Sequence, residues 1–208
     1  MNMEIASSRL KSIDMLPEIK EVYETCQSLA VIEAILMQEW DFRYFSFNSS
    51  WDVNKSMASM RDGCGSHYYM TFDSQLTKCL GKLYNKPIGV KDTTPIKDVY
   101  MFEEFLQEPA FENEDATIYY YKTSNKIKWQ SIPFLSDIPF LGFLVNKENA
   151  YIPWAESCYE IEIKTQPVID IFNYQPVTSS MVNQLNPNCC ISTLIDDLNE
   201  INYPFRDL

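Results

Sequence analysis

The hydrophobic periodicity changes along the chain, and this change restricts the fold more than any other feature. In residues 17–38, apolar side chains recur at steps of three and four, which predicts an amphipathic helix. Residues 40–47 read Trp-Asp-Phe-Arg-Tyr-Phe-Ser-Phe, an alternation typical of a half-buried strand. Beyond residue 146 the helical spacing returns. The order predicts an α+β fold with a mainly antiparallel sheet, an N-terminal helix and a helical C-terminal third.

Further strands are predicted at residues 66–72, 77–83, 116–122 and 127–132. We expect the strand at 40–47 to pair antiparallel with the strand at 66–72. The residues between them, which include Met57, Met60 and Arg61, are interpreted as a connection.

Helical spacing predicts further helices at residues 96–106, 150–163, 167–174 and 179–185, with Thr178 as the N-cap of the last of these. A final helix is predicted to be capped by Ser192 or Asn188. Its buried stripe is expected to contain Ile191, Leu194, Ile195, Leu198 and Ile201.

Composition limits the kinds of partner. The 208 residues carry a formal net charge of -12, which argues against binding to nucleic acid or to an anionic membrane surface and favours a basic protein partner. With 46% hydrophobic residues, the chain can bury a core as one domain over residues 1–208. We interpret its six scattered cysteines as reduced thiols and therefore expect a cytoplasmic protein. No apolar run approaches the length of a membrane span.

The longest acidic stretch lies in the middle of the chain, where residues 98–115 contain no Lys or Arg. A solvated surface is the commonest role of such a stretch. A docking face for a basic protein is the alternative with more functional content. We expect Val99, Phe102, Phe105 and Leu106 to face the core. The candidate partner-binding residues are Glu103, Glu104, Glu108 and Glu112.

The strongest indication of an enzyme is Cys64 followed by His67. A thiol needs a nearby imidazole to become a reactive thiolate, and Asp62 is placed to orient the ring. Residues three apart at the start of a strand point to opposite faces, which favours a structural turn over a catalytic dyad.

The sequence gives less support to a metal site, a cofactor site or a known catalytic motif. The adjacent Cys189 and Cys190 cannot comfortably chelate one tetrahedral ion, and the chain contains a single histidine. The phosphate-binding, dinucleotide-binding, esterase and zinc-protease motifs are absent from the sequence. We therefore expect neither a cofactor nor a metal, and we expect Cys189 or Cys190 to pack beneath the last helix.

Residues 44–51, Tyr-Phe-Ser-Phe-Asn-Ser-Ser-Trp, and residues 57–65, Met-Ala-Ser-Met-Arg-Asp-Gly-Cys-Gly, resemble a family of uncharacterised bacterial proteins of about this length. Residues 108–111, 154–156 and 198–204 extend the resemblance over most of the chain. The chain departs from the family at residues 80–86, where a Gly-Phe-X-His-Glu-Ser type of sequence is expected. Such proteins are similar in size and acidity to bacterial immunity proteins, which neutralise toxins.

These observations favour a non-catalytic protein-binding module, an inhibitor of the immunity or antitoxin kind that docks a basic partner through an acidic face. Two alternatives remain open. One is a small thiol-dependent enzyme that uses Cys64 and His67, and the other is a secreted bacterial effector that acts on a host protein.

Overall fold

The structure is a computed structural model that describes residues 6–91, 103–111 and 115–208. The predicted α+β class is confirmed: an N-terminal helix and C-terminal helices pack against a six-stranded antiparallel sheet. The strands follow one another in the order of the sequence. They are β1 Phe45–Asp52, β2 Lys55–Arg61, β3 His67–Asp73, β4 Lys78–Tyr84, β5 Ile118–Thr123 and β6 Gln130–Ile132.

The register of the sheet aligns apolar side chains across five strands. Phe45 pairs with Met60, Met60 with Tyr68, Tyr68 with Leu83, and Leu83 with Ile118. All five side chains are buried in the main core. Because side chains alternate along a strand, this row defines one face of the sheet.

Helices cover that face. The first, α1 Ile19–Leu36, packs against β1 and against later helices. The others on this side of the sheet are α3 Phe143–Asn146, α4 Glu148–Tyr159, α5 Thr165–Phe172, α6 Ser179–Leu185 and α7 Ile191–Ile201. We refer to this as the helical face of the sheet.

The opposite face has a smaller cover, made by α2 Glu103–Gln107 and the 3-10 turn Pro109–Phe111. The ring of Phe111 stacks on Trp51 and Tyr69, with centroid distances of 5.2 and 4.7 Å. Phe105 is buried in the same cluster. The sheet therefore has two apolar cores, one on each face.

The prediction for the first strand was wrong in position. Residues Trp40–Phe42 form an exposed 3-10 turn, and β1 begins only at Phe45 and continues to Asp52. The alternation was interpreted as a half-buried strand, but the side chains of Trp40 and Phe42 are 51% and 62% exposed. The Arg43 side chain bonds to the carbonyl oxygens of Met37 and Gln38, which holds this turn against the end of α1.

The interpretation of Met57, Met60 and Arg61 as part of a connection was also wrong. They lie in β2, which separates β1 from β3, so the two strands expected to pair do not. Met, Ser and Ala have little intrinsic preference for strands. These residues form a strand because β2 pairs with β1 on one edge and with β3 on the other.

The predictions for the helices were more accurate than those for the first strands. Thr178 caps α6, because its hydroxyl oxygen accepts a hydrogen bond from the amide of Met181 at 3.3 Å. The cap prediction for the last helix was wrong, since Cys190 occupies the N-cap of α7.

Most of the predicted helix at 96–106 lies outside the described residues. In the predicted stripe, Leu194, Leu198 and Ile201 are buried, whereas Ile191 and Ile195 are partly exposed.

The six cysteines are thiols, as expected, with none in a disulfide. Among the described helices, none has the length and apolar character required to cross a bilayer.

Candidate functional site

A buried carboxylate connects α1 with α4. Glu33 is 0% exposed, and its oxygens accept hydrogen bonds from the hydroxyls of Tyr151 and Tyr159 at 2.6 and 2.7 Å and from the amide of Tyr44 at 2.8 Å. Burial raises the pKa of the Glu33 carboxyl, and the hydrogen bonds from the two tyrosines oppose this shift. The network fixes Tyr44 relative to α4.

Aromatic rings extend this connection toward solvent. The Tyr44 ring packs edge-on against Trp154 of α4 at a centroid distance of 4.6 Å. Trp154 in turn contacts Phe45 and Phe143 at 5.7 and 5.4 Å. Edge-to-face contacts of this kind restrict ring orientation. Together, Tyr44, Trp154 and Phe143 form one wall of a cavity.

The cavity has a volume of about 850 Å³. The turn between β2 and β3 contributes Cys64, the residues after β4 contribute Lys86, and the last turn of α4 contributes Cys158. Arg9 lines it as well, and its guanidinium is held by Asp137, with Nε 2.8 Å from Oδ2. The volume is within the range of pockets that hold small organic molecules.

The turn that carries Cys64 is built on Asp62. One carboxylate oxygen of Asp62 accepts the backbone amides of Cys64 and Ser66, both at 2.8 Å. The Tyr44 hydroxyl donates to the Asp62 carbonyl oxygen at 2.9 Å, and Lys86 Nζ donates to the Cys64 carbonyl oxygen at 3.3 Å. The Asp62 carboxylate therefore holds the turn backbone.

Two thiols share the neighbourhood of the Tyr44 hydroxyl. Burial raises the pKa of Cys158, and its hydrogen bond with the Tyr44 hydroxyl opposes the shift. The pKa of Tyr44 is also raised, first by burial and then by the neighbouring Cys158, Asp62 and Cys64. Cys64 and Cys158 belong to different elements, so the fold alone brings them to one cavity.

The structure places the two members of the predicted dyad on different sides of the sheet. Cys64 lines the cavity on the helical face. His67 precedes Tyr68, whose ring is buried in the helical-face core, so the imidazole points to the opposite face. There it packs against Tyr69 and Tyr84, with centroid distances of 5.3 and 5.6 Å.

The predicted acidic docking residues are only partly described. Glu103 and Glu104 begin α2, and the placement of their side chains is not described, while Glu112 lies outside the described residues. The Glu108 carboxylate accepts the amide of Ala110 at 3.0 Å and so supports the turn that carries Phe111.

A second acidic surface, which the sequence did not single out, lies along α7. Residues 38–49 run beside this helix from its first turn to its last. Gln38 Nε2 lies 3.4 Å from the carbonyl oxygen of Cys190, and the Ser49 hydroxyl donates to the carbonyl oxygen of Glu200 at 2.6 Å. Between these points, Arg43 forms a bidentate ion pair with Asp197 at 2.7 and 2.8 Å.

We define the α7 face as the exposed side chains of this junction, which are Glu39, Trp40, Asp41, Phe42, Asp196 and Glu200. Within the described part of the chain, none of its four carboxylates forms an ion pair with Lys or Arg. The nearby Arg61 lies over the Trp40 ring, 4.1 Å from its centroid. The face therefore combines carboxylates that have no ion-pair partner in the described part of the chain with two exposed aromatic rings.

The adjacent cysteines at the start of α7 have different surroundings. Cys189 is half-buried, whereas Cys190 is exposed. Hydrogen bonds from the Ser192 and Thr193 hydroxyls, 3.3 and 3.5 Å from Cys190 Sγ, hold its pKa at about 7. Across the described residues, no three His, Cys, Asp or Glu side chains converge in a way that could hold a metal ion.

The α7 face was missed because its residues are far apart in sequence. The alternation in residues 40–47 assigned Trp40 and Phe42 to a strand, and contacts far apart in sequence, such as the ion pair from Arg43 to Asp197, bring them to α7. The available signal was Glu39 directly before Trp40 and Asp41 between Trp40 and Phe42, since a buried strand rarely contains unpaired acids.

Comparison with protein-family models, with curated proteins and with solved structures found no match for this chain.

Proposed function

We propose that this protein is a non-catalytic binding module that docks a basic protein partner, and that the α7 face is the docking surface. The observation that carries the proposal is the exposure of Trp40 and Phe42 among carboxylates that have no cationic partner in the described part of the chain. Exposed aromatic side chains supply contact area at low entropic cost, and they are frequent centres of binding energy.

Charge complementarity indicates which kind of partner the α7 face binds. More than half of the described Lys and Arg side chains are in ion pairs elsewhere, such as Lys122 with Glu18 and Lys147 with Glu21. The carboxylates at Glu39, Asp41 and Asp196 lack such neighbours, so their field is attractive to a basic surface. A basic partner would approach faster because of this field and then bury the two rings.

The resemblance of residues 44–51 and 57–65 to bacterial proteins that are similar in size and acidity to immunity proteins supports a toxin as the class of partner. The first candidate to test is a basic toxin encoded by a gene adjacent to that of this protein. We expect the toxin to arrest growth when it is expressed alone, and co-expression of this protein to restore growth.

Truncation of one ring tests the docking surface. Phe42→Ala should raise the dissociation constant of the toxin complex about 30-fold, because a central aromatic side chain contributes about 2 kcal/mol to binding. Phe134→Ala is the matched control, since Phe134 is 79% exposed outside the α7 face. Surface plasmon resonance measures both constants. Equal losses for the two variants would contradict the proposal.

Charge reversal compares the two acidic surfaces. Glu39→Lys with Asp41→Lys, and Glu103→Lys with Glu104→Lys, change the net charge by the same amount. Under the proposal, the first pair lowers the association rate more than the second, and the difference shrinks as salt is added. A larger effect of the second pair would instead place the docking surface on the segment that contains α2.

A further inference from the structure

The cavity on the helical face combines an aromatic wall with a cluster of hydrogen-bond donors, and the docking proposal uses neither. Tyr44, Trp154 and Phe143 form the wall. The rings of Tyr44 and Trp154 are partly exposed, so the wall presents apolar surface to a ligand. Aromatic and apolar side chains are the usual lining of small-molecule sites, and a flat ring packs well against them.

We define the donor cluster as Ser66, Asn85 and Lys86, which line the cavity where β3 begins and β4 ends. The pairing of His67 with Tyr84 brings these two strand ends together. The backbone amide of Lys86 donates to the Ser66 hydroxyl oxygen at 3.2 Å. The contacts therefore hold the three residues in one part of the cavity.

Asn85 is held rigidly and has an unused donor. Its amide oxygen accepts the backbone amide of Ile88 at 3.1 Å, and its own backbone amide donates to Thr117 Oγ1 at 2.9 Å. The Asn85 side-chain nitrogen has no acceptor in the described part of the chain, although the residue is only 3% exposed. Because buried polar groups are almost always hydrogen-bonded, an unused donor on the lining of a cavity is a group that a ligand can satisfy.

Ser66 and Lys86 supply the other donors. The Ser66 hydroxyl is buried, and within the described residues its proton has no acceptor, since its oxygen only accepts from Lys86. Lys86 is exposed and forms no ion pair with any described Asp or Glu. The other cation of the cavity, Arg9, is paired with Asp137. Lys86 is therefore the cation that is available to a ligand.

Two carboxylates, those of Asp62 and Glu160, also line the cavity. One oxygen of Asp62 accepts two amides of its own turn, and Glu160 is exposed beyond the end of α4. The two carboxylates balance the charges of Arg9 and Lys86. Selection for an anion would therefore depend on short hydrogen bonds from the donor cluster, and not on long-range attraction.

We propose that the cavity binds a small aromatic carboxylate, whose ring packs against Tyr44 and Trp154 and whose carboxylate accepts hydrogen bonds from the donor cluster. Asp62 connects the two halves of this site. Its carbonyl oxygen accepts from the Tyr44 hydroxyl at 2.9 Å, and its carboxylate accepts from the Ser66 amide at 2.8 Å. One small molecule can therefore reach both the wall and the donors. The inference is independent of the docking proposal, because it involves no residue of the α7 face.

Calorimetric titration of the intact protein with naphthoate tests the proposal. We expect saturable binding with a dissociation constant below about 1 mM, a modest affinity that suits a probe of two rings and one carboxylate. Naphthamide has the same rings without the charge and should bind about tenfold more weakly, because hydrogen bonds to a charged acceptor are the stronger ones. Absence of saturable naphthoate binding, or equal affinity for the two probes, would overturn the proposal.

Three variants locate the bound carboxylate. Asn85→Asp keeps an oxygen for the Ile88 amide but replaces the donor with a charged acceptor, so the dissociation constant of naphthoate should rise at least about tenfold. Lys86→Met keeps an apolar stem without the ammonium group and should raise it about fivefold. Lys126→Met is the matched control, because Lys126 is an exposed lysine that does not line the cavity, and it should have no effect.

Thermal unfolding shows whether each variant is folded, and Lys86→Met carries the test alone if Asn85→Asp is not. Equal dissociation constants for Lys86→Met and Lys126→Met would mean that naphthoate binds outside the donor cluster, and the proposal would be wrong.

Discussion

The carboxylate of Glu33 and the carboxylates of the α7 face are the same chemical group in opposite surroundings. Glu33 is fully buried and accepts hydrogen bonds from Tyr151, Tyr159 and the amide of Tyr44. Asp196 and Glu39 face solvent and have no cationic partner in the described part of the chain. The first arrangement contributes to the stability of the fold, whereas the second adds repulsion between like charges. Under the docking proposal, a basic partner would relieve this repulsion when it binds.

Removal of Glu33 should have the largest effect on stability. Glu33→Ala leaves three buried donors without their acceptor and opens a space in the core, so we expect a loss of about 3 to 4 kcal/mol in the free energy of unfolding. Glu33→Gln keeps the shape and one acceptor oxygen, so it should lose less than half as much. Urea unfolding followed by circular dichroism measures both. Equal losses would mean that the hydrogen bonds contribute little and that packing determines the effect.

Asp196 and Asp197 are adjacent residues of α7, but only Asp197 is in an ion pair within the described part of the chain. They therefore test the comparison between structural and exposed carboxylates. Asp197 pairs with Arg43, whose side chain is 5% exposed, so Asp197→Ala leaves a buried guanidinium without its partner and should lower the free energy of unfolding by about 3 kcal/mol. Asp196→Ala should change it by less than about 0.5 kcal/mol, as is usual for exposed residues. The two variants are compared by thermal and urea unfolding. A stability loss for Asp196→Ala as large as for Asp197→Ala would make the α7 face a structural feature.

How far the sequence predicted the molecule depended on whether the determining contacts were local. The helical period in residues 17–38 was sufficient for α1, and the Thr178 cap follows from a hydroxyl and an amide three residues apart. The second strand could not be predicted, because its Met, Ser and Ala side chains become strand residues only through pairing with β1 and β3. The local alternation also assigned Trp40 and Phe42 to the first strand, although both lie in an exposed turn that precedes it.

The candidate sites were harder to predict than the fold, because they depend even more on contacts between residues that are far apart in sequence. Cys64 and Asp62 were identified from a turn, and both lie at the cavity. Cys158, almost one hundred residues away, lies at the cavity because α4 packs beside Tyr44, through the Glu33 hydrogen bonds and the Trp154 ring among other contacts. No spacing rule connects residues 64 and 158. The α7 face depends in the same way on the ion pair between Arg43 and Asp197.

The dependence of stability on pH distinguishes the buried carboxyl of Glu33 from the surface carboxylates. Burial raises the pKa of Glu33 in the folded protein above its ordinary value of 4.5. Its protonation therefore contributes stability that is fully present below about pH 4.5 and is lost as the pH rises through the folded pKa. Glu33→Gln does not titrate at this position, whereas the surface carboxylates titrate in both proteins and cancel in the comparison.

The stability of the wild-type protein relative to Glu33→Gln should consequently decrease as the pH is raised from 4.5 toward 8. Its slope cannot exceed about 1.4 kcal/mol per pH unit, the limit for one proton. Urea unfolding of both proteins at half-unit pH intervals measures it. Asp196→Asn is the control, because neutralising an exposed carboxylate should leave the profile near that of the wild type. A difference that is constant or grows with pH would mean that the hydrogen bonds from Tyr151, Tyr159 and Tyr44 outweigh burial, which would make Glu33 a stabilised carboxylate throughout this range.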